Sequence, residues 1–243
     1  MIKLEKLRKS FNGRSVLRDL SFEAPDGAIT GLLGVNGAGK TTTLRTICGV
    51  LQPESGSITI DDETGESGSP QMQHTVGALL DHTGLYARLT VRENLEYFAR
   101  LRGMNGQALS RATDRVIFIL GLEAIAGRAT AGFSQGERMK TALGRAILHS
   151  PRNLLLDEPT NGLDILTIRS LRELLKRLRD EGTCVIFSSH VLEEVRALCD
   201  TVVVISDGRI AGQGSAAELC SQTSTACLED AFVQLTSARE VQI

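Results

Sequence analysis

Aromatic side chains are scarce in this chain: tryptophan is absent, and aromatic residues make up only 4% of the 243 residues. Proteins that hold single-stranded nucleic acid stack its bases on aromatic rings, and this chain has little material for such a surface. The formal net charge of -2 gives no basic surface for phosphate backbones either. We therefore expect no nucleic acid partner.

Long apolar runs are also lacking. No run approaches the roughly 18 residues that a membrane-spanning helix needs, and no apolar segment follows a basic start as in a signal peptide. We therefore expect a protein that is cytosolic, or that is held at a membrane only through a partner.

The cysteines exclude two further kinds of site. There are 5, scattered without a CxxC pair, and this spacing predicts neither a zinc site nor a disulfide framework. Cys184 lies in the apolar run 184–187 and is expected to be a small core residue. A structural role is the interpretation for all of them.

The remaining composition, 42% hydrophobic and 23% charged, is typical of a globular protein with a sizeable core. Strand and helix patterns alternate along most of the chain, which indicates an α/β fold with a mostly parallel sheet. Short strands at 2–7, 16–22 and 57–60 predict an N-terminal antiparallel β subdomain. A capping box at 90–93 and a second helix at 116–122 predict an inserted α-helical subdomain.

The most informative segment, residues 34–42, has the sequence Gly-Val-Asn-Gly-Ala-Gly-Lys-Thr-Thr and is called the phosphate loop below. It joins an apolar run, 29–33, to a helical pattern that stops at Gly49. Backbone N–H groups of such a loop and the helix N-terminus hold nucleotide phosphates, so the core is predicted to be of the P-loop NTPase type. A turn that merely connects strand and helix is the alternative, and the complete spacing argues against it. The candidate nucleotide-binding residues are Asn36, Gly37, Ala38, Gly39, Lys40, Thr41 and Thr42.

Within this loop two side chains have distinct predicted roles. Lys40 is expected to reach the β- and γ-phosphates, and the Thr41 hydroxyl is expected to bind Mg²⁺. Two adjacent acids, Asp157 and Glu158, follow the aliphatic run 154–156. A lone buried carboxylate is costly, and a magnesium ion beside the phosphates would compensate it. We expect Asp157 to hold the ion and Glu158 to polarise the attacking water; a structural cap on the turn at Pro159 is the alternative.

His190 ends another apolar strand, 185–189. A neutral imidazole there can donate a hydrogen bond to a γ-phosphate oxygen, which makes His190 a second candidate catalytic residue. Taken alone, a histidine at a strand end is more often structural.

The segment 133–137, Phe-Ser-Gln-Gly-Glu, precedes the Asp157–Glu158 pair and opens a helical pattern. Together with the phosphate loop, the motif 161–164 and Ser189-His190, it occurs in an order that resembles the ATPase subunit of an ATP-binding cassette (ABC) transporter. The resemblance covers residues 1–235. It implies one ATPase domain there, with the helical insert at approximately 88–150 and a tail at 236–243.

The resemblance implies further residue roles. Phe11 stands where the family places an aromatic side chain on adenine, and Val16 flanks it. Two copies pair head to tail around two ATP molecules, and Asp164 would lie at that dimer seam. The signature residues, which would face the γ-phosphate held by the opposite subunit, are Ser134, Gln135, Gly136 and Glu137.

Segments 84–95 and 227–232 are similar to ATPases that serve drug, sodium or polysaccharide exporters, with sodium export the preferred match. The resemblance therefore implies an ATP-hydrolysing, Mg²⁺-dependent subunit that powers a membrane exporter from the cytoplasmic face. Its expected partners are a separate membrane-spanning permease subunit and a second ATPase subunit, expected to be identical. The groove at 81–86 and the helix after Thr90 are the candidate docking surface for the permease.

Two positions depart from the family. Asp81 stands where a glutamine usually links Mg²⁺ to the membrane subunit; its carboxylate can still bind the ion, so we expect altered metal affinity or coupling. In the signature, Gln135 replaces a glycine and Glu137 replaces a glutamine. Because Ser134 and Glu137 form a capping-box pattern, helix capping is preferred over direct nucleotide contact as the role of Glu137.

Two other functions compete with a transport motor. One is a cassette ATPase with a regulatory or mechanical role on DNA or ribosomes, but such proteins usually carry two cassettes or a long coiled-coil insert, and neither occurs in this sequence. The other is a nucleotide-binding module without turnover. The residues Lys40, Thr41, Asp157, Glu158 and His190 argue against it.

Overall fold

The computed structural model describes residues 1–61, 63–64, 74–80 and 84–237. Two β-sheets and a set of helices make up this part of the chain. Its strands are β1 (Ile2–Phe11), β2 (Arg14–Ala24), β3 (Ile29–Leu33), β4 (Ser55–Ile60), β5 (Glu63–Thr64), β6 (Val76–Leu79), β7 (Asn153–Asp157), β8 (Cys184–Ser189), β9 (Thr201–Ser206) and β10 (Arg209–Gly214). Its α-helices are α1 (Lys40–Ile47), α2 (Val91–Leu101), α3 (Gly106–Ile119), α4 (Gln135–Ile147), α5 (Ile165–Asp180), α6 (Leu192–Leu198), α7 (Ala216–Thr223) and α8 (Leu228–Ser237).

The larger sheet has the strand order β10-β9-β3-β8-β7-β6. Neighbouring strands are parallel in it except for β9 and β10. The smaller sheet, β2-β1-β4-β5, is antiparallel. The predicted α/β fold, with a mostly parallel sheet and an antiparallel N-terminal region, is therefore confirmed.

Three central strands, β3, β7 and β8, are buried along their whole length. Such strands are continuous apolar runs because helices cover both faces of a parallel sheet. Their ends are aligned: Leu33 pairs with Ser189, and Asp157 pairs with Ser188. The segments that follow these strands therefore leave the sheet at one common edge.

Between β6 and β7 the described chain forms α2, α3, a 3₁₀ turn (Glu123–Ile125) and α4. The predicted capping box of α2 is present, with Thr90 and Glu93 each bonding the other's backbone N–H. The prediction of a helix at 116–122 was wrong in its bounds, because α3 begins at Gly106 and ends at Ile119. Its buried face includes Thr113 beside Leu109, and this polar residue interrupts the apolar period on which the prediction depended.

The cysteines in the described part of the chain are free thiols. Burial raises the pKa of both Cys48 and Cys184 to about 12. Cys184 is fully buried, as predicted for a small core residue, and Cys48 is partly buried. No helix among residues 1–61, 74–80 and 84–237 combines the length and the apolar character that crossing a bilayer requires.

The contact of β6 with α4 gives a test of the packing. A Cβ on Gly77 would lie 2.2 Å from the backbone oxygen of Ala146. We expect Gly77→Ala to lower the free energy of unfolding by about 1–3 kcal/mol, because the strand and the helix must separate. Gly127→Ala is the matched control, since a Cβ there meets nothing within 4 Å. Denaturant unfolding measures both variants, and equal stabilities would contradict the packing described.

Candidate active site

A cleft of about 470 Å³ lies at the edge where β3, β7 and β8 end. Its walls come from the start of β2, the phosphate loop, the segments after β7 and β8, and the turn between β9 and β10. The lining residues are Arg14, Ser15, Val16, Asn36, Gly37, Gly39, Lys40, Thr41, Thr42, Glu158, Asn161, His190, Asp207 and Gly208. Parallel pairing thus brings together most residues that the sequence predicted for nucleotide binding.

The phosphate loop enters α1 through Gly39, whose φ of +113° is a conformation that glycine adopts without strain. This geometry places Lys40 at the first helical position, where it is buried. The Lys40 Nζ donates to the Gly34 carbonyl at 2.7 Å and lies 3.4 Å from Glu158 Oε1. A buried cation with carbonyl and carboxylate partners is a fixed positive charge beside the loop.

Glu158 follows β7 directly and has a φ of +48°. A non-glycine residue in the left-handed region is uncommon and carries backbone strain, which is frequent at functional sites. Its backbone N–H donates to Ser188 Oγ at 3.0 Å, and the same hydroxyl donates to Asp157 Oδ1 at 2.6 Å. Ser188 therefore holds both acids against the end of β8.

The Nδ1 of His190 lies 2.6 Å from Glu158 Oε2. Because an ionised carboxylate only accepts hydrogen bonds, the chemistry assigns the proton to Nδ1 and makes Nε2 an acceptor in the neutral ring. With this bond in place, a neutral His190 does not donate from Nε2. Donation to a phosphate from Nε2 then requires the imidazolium form, a condition that the sequence analysis did not anticipate.

The predicted magnesium-binding residues occupy different positions. Thr41 lines the cleft, and Asp157 is buried at the end of β7. No lysine or arginine in the described ranges forms an ion pair with Asp157, so its second oxygen, Oδ2, is suited to a cation. Asp81 lies outside the described residues.

The signature residues lie outside the cleft lining. Ser134 is the N-cap of α4 and forms a complete capping box with Glu137, as predicted from the sequence. The Ser134 N–H holds the pKa of Glu137 below its ordinary value, and Arg128 at 3.2 Å adds to this effect. Gln135 Nε2 donates to the Asn161 carbonyl at 2.7 Å.

Asp164 and Gly136 are close together at this surface. Asp164 is the N-cap of α5, with Oδ1 accepting from the Thr167 N–H at 2.9 Å. Hydrogen bonds from Thr167, first from its hydroxyl, lower the pKa of Asp164. A Cβ on Gly136 would meet the Thr167 side chain at 3.4 Å and Asp164 Oδ2 at 4.0 Å.

The two predicted adenine-binding residues are separated by the structure. Val16 lines the cleft, whereas Phe11 does not. Phe11 ends β1, pairs with Arg14 across the hairpin and is 41% exposed, with the Lys9 Nζ 5.6 Å from its ring centroid.

Sequence reasoning missed several residues of the site. Arg14, Asp207 and Gly208 reach the cleft only through the fold and carry no local sequence signal. Ser188 does carry a sequence signal, because it and Ser189 are two polar residues at the end of a strand that is otherwise apolar. Asn161 was recognised within the motif 161–164 but was not assigned to the cleft.

Comparison with known proteins places this site in a family. The sequence model of the family described as "ABC transporter" matches residues 17–161. The ABC transporter ATP-binding protein NatA of Bacillus subtilis is 40% identical over 200 residues, covering 82% of this chain and 81% of NatA. The bacitracin transport ATP-binding protein BcrA of Bacillus licheniformis is 37% identical over 211 residues, covering 86% of this chain and 68% of BcrA.

Solved structures agree with these relatives. An ATP-binding subunit of an ABC transporter superposes with a TM-score of 0.88 at 28% identity, over 97% of this chain and 99% of that subunit. CbiO1 of Clostridium perfringens, part of the ABC transporter complex cbiONQ, superposes with a TM-score of 0.80 at 26% identity, over 91% of each chain. The chain therefore belongs to the ABC transporter family and is an ATP-binding subunit that hydrolyses ATP.

Proposed function

We propose that this chain binds Mg²⁺-ATP in the cleft, hydrolyses it in a head-to-tail pair of identical subunits, and drives export through a separate membrane permease. The observation that carries the proposal is the position of Glu158. Its two carboxylate oxygens contact Lys40 and His190 at the edge of the phosphate loop. The catalytic domain is proposed to comprise residues 1–235, with its helical insert at approximately 88–150 and a tail at 236–243.

The phosphate loop provides the proposed phosphate site. Residues 36–42 supply backbone N–H groups, and the N-terminus of α1 adds partial positive charge. Lys40 contributes a full positive charge to the β- and γ-phosphates. Val16 is proposed to flank the adenine, and Phe11 to stack on it from the adjacent hairpin end.

Glu158 and His190 are the proposed catalytic residues. Glu158 accepts the proton of the attacking water, a contribution of about 10²–10⁴-fold for a general base. The hydrogen bond from His190 Nδ1 fixes the orientation of the Glu158 carboxylate. Lys40, on the other carboxylate oxygen, lies where the γ-phosphate would be held.

The residues present fit a magnesium ion. Asp157 is a buried carboxylate with one oxygen bonded to Ser188, and Thr41 adds a hydroxyl from the phosphate loop. Oxygen donors of this kind are the ligands that Mg²⁺ prefers, and a buried carboxylate gains from a cation. When bound, the ion would neutralise phosphate charge. Asp81 is proposed as a further ligand on sequence grounds alone.

A second copy of the chain is proposed to cover the signature residues. Ser134, Gln135, Gly136 and Glu137 lie outside the cleft of their own subunit, and the loop that they form is proposed to face the nucleotide of another. Directly after Asp164, the side chains of Ile165 and Leu166 are 83% and 75% exposed. Two adjacent exposed aliphatic side chains favour a protein partner at this seam.

The permease is proposed to dock on the aromatic cluster formed by Tyr86, Tyr97 and Phe98. The Tyr86 and Tyr97 rings meet edge to face at 4.9 Å and are both exposed, and Arg145 lies over Phe98 at 4.7 Å. Exposed aromatic side chains with an arginine are typical of interface anchors. Docking there would hold the subunit at the cytoplasmic face of the membrane. The names of NatA and of the bacitracin transport protein BcrA favour a transporter, and export is proposed from the sequence resemblance of segments 84–95 and 227–232.

Glu158→Gln tests the catalytic assignment. We expect the variant to bind ATP and to dimerise with it, while phosphate release slows by about 10²–10⁴-fold, because an amide does not accept the proton. Glu123→Gln, an exposed substitution on the 3₁₀ turn, is the control. Turnover in Glu158→Gln equal to that of the control would remove Glu158 from its role.

Glu137→Ala separates helix capping from nucleotide contact. It should lower the melting temperature, because the Ser134 N–H and Arg128 lose a carboxylate partner. Since the pKa of Glu137 is lower in the folded protein, this stabilisation is present above the unfolded value of about 4.3 and is lost as the pH falls through the folded value.

Glu218→Ala is the matched control, because Glu218 forms the same capping box with Ser215 on α7. We expect both variants to melt at lower temperature and only Glu137→Ala to lose ATPase activity, since α4 carries the signature. Equal ATPase activity in the two variants would show that the cap of α4 does not serve the nucleotide site.

Purification from native membranes tests the transport function. We expect a multi-span membrane protein to accompany the tagged chain, and Tyr86→Ala with Tyr97→Ala to reduce its yield without changing ATP binding. Phe118→Ala, which removes another exposed aromatic side chain, on α3, is the control. A tagged chain without a multi-span companion would favour the regulatory or mechanical cassette instead.

A further inference from the structure

A second glutamate lies behind the catalytic pair. Glu194 is on α6 and only 8% exposed, and its Oε2 accepts hydrogen bonds from Thr160 Oγ1 at 2.6 Å and Ser189 Oγ at 2.9 Å. Both hydroxyls are themselves buried. Burying a carboxylate is costly unless it is well bonded, so this glutamate is a specific arrangement and not a surface acid.

The two hydroxyls come from different strand ends. Thr160 stands two residues after Glu158, on the segment that leaves β7, and Ser189 stands directly before His190 at the end of β8. Ser189 Oγ also accepts from the Val191 N–H at 3.0 Å, which fixes the direction of its own proton toward Glu194. One carboxylate oxygen therefore joins the segments that carry the two proposed catalytic side chains.

The position of Glu194 in the helix does not explain these contacts. An acid in the first turn of α6 is stabilised by the helix dipole, but Glu193 lies in the same turn and would gain equally. Glu193 is exposed and pairs with Arg196 at 2.9 Å on the surface. Only Glu194 is buried and bonded to the segments after β7 and β8.

We propose that Glu194 is a positioning residue that holds Glu158 and His190 in register for hydrolysis. The proposal rests on the function proposed above. The bond between His190 Nδ1 and Glu158 Oε2 is 2.6 Å long and joins two separate segments, so their relative position decides whether it forms. A displacement of about 1 Å at a catalytic group can cost about 100-fold in rate.

Substitutions of Glu194 test this role. Glu194→Ala removes both hydrogen bonds, and we expect kcat to fall by at least about tenfold while KM and the dissociation constant for ATP stay within about twofold, because the phosphate loop is untouched. Glu194→Gln should recover most of kcat, since both bonds end on a single oxygen that an amide also provides. Glu193→Ala is the matched control and should match the wild type.

Three results would overturn the proposal: wild-type kcat in Glu194→Ala, no recovery in Glu194→Gln, or parallel losses of kcat and ATP affinity. If Glu194→Ala does not fold, Thr160→Val carries the same test, because it removes one bond and retains the side-chain shape. In a folded Glu194→Ala background, adding Thr160→Val should cost nothing further.

Slow turnover in Glu158→Gln together with normal turnover in Glu194→Ala would overturn the positioning role alone. Normal turnover in Glu158→Gln would overturn the catalytic assignment on which Glu194 depends.

Discussion

Parallel pairing of β3 with β8 and of β8 with β7 is the constraint on which the site depends. The pairs Leu33–Ser189 and Asp157–Ser188 align the carboxyl ends of three strands. Each strand is buried on all sides, so a shift in register would expose apolar side chains and is strongly disfavoured. This register brings together the three segments that follow the strands, which are the phosphate loop, the acidic pair and His190.

At this edge the carboxylate of Glu158 contacts two groups, the ammonium of Lys40 and the imidazole of His190. Lys40 and His190 approach opposite oxygens of Glu158, at 3.4 Å and 2.6 Å. The lysine is buried, so its charge acts in a poorly screened environment and its partners matter more than on the surface. The same geometry places the Glu158 carboxylate beside the residue that would hold the γ-phosphate.

The sequence was sufficient where a local pattern has one structural meaning. The phosphate loop, the aliphatic strand before Asp157 and the capping boxes at Thr90 and Ser134 needed no tertiary information. It failed where a polar residue is buried by a distant element. Thr113 concealed the start of α3, and Glu194 gave no sign that it would lie beneath two strand ends.

The departures in the signature have separate structural explanations. Glu137 caps α4, so its carboxylate is occupied by the Ser134 N–H and by Arg128. Gln135 extends to the Asn161 carbonyl, and Asn161 lines the cleft and donates its own N–H to the Glu158 carbonyl at 3.1 Å. A glycine at position 135 has no side chain with which to make this bond. In the proposed pair, the loop that faces the partner's nucleotide is thus hydrogen-bonded, through Gln135 and Asn161, to the segment that carries Glu158 in its own subunit.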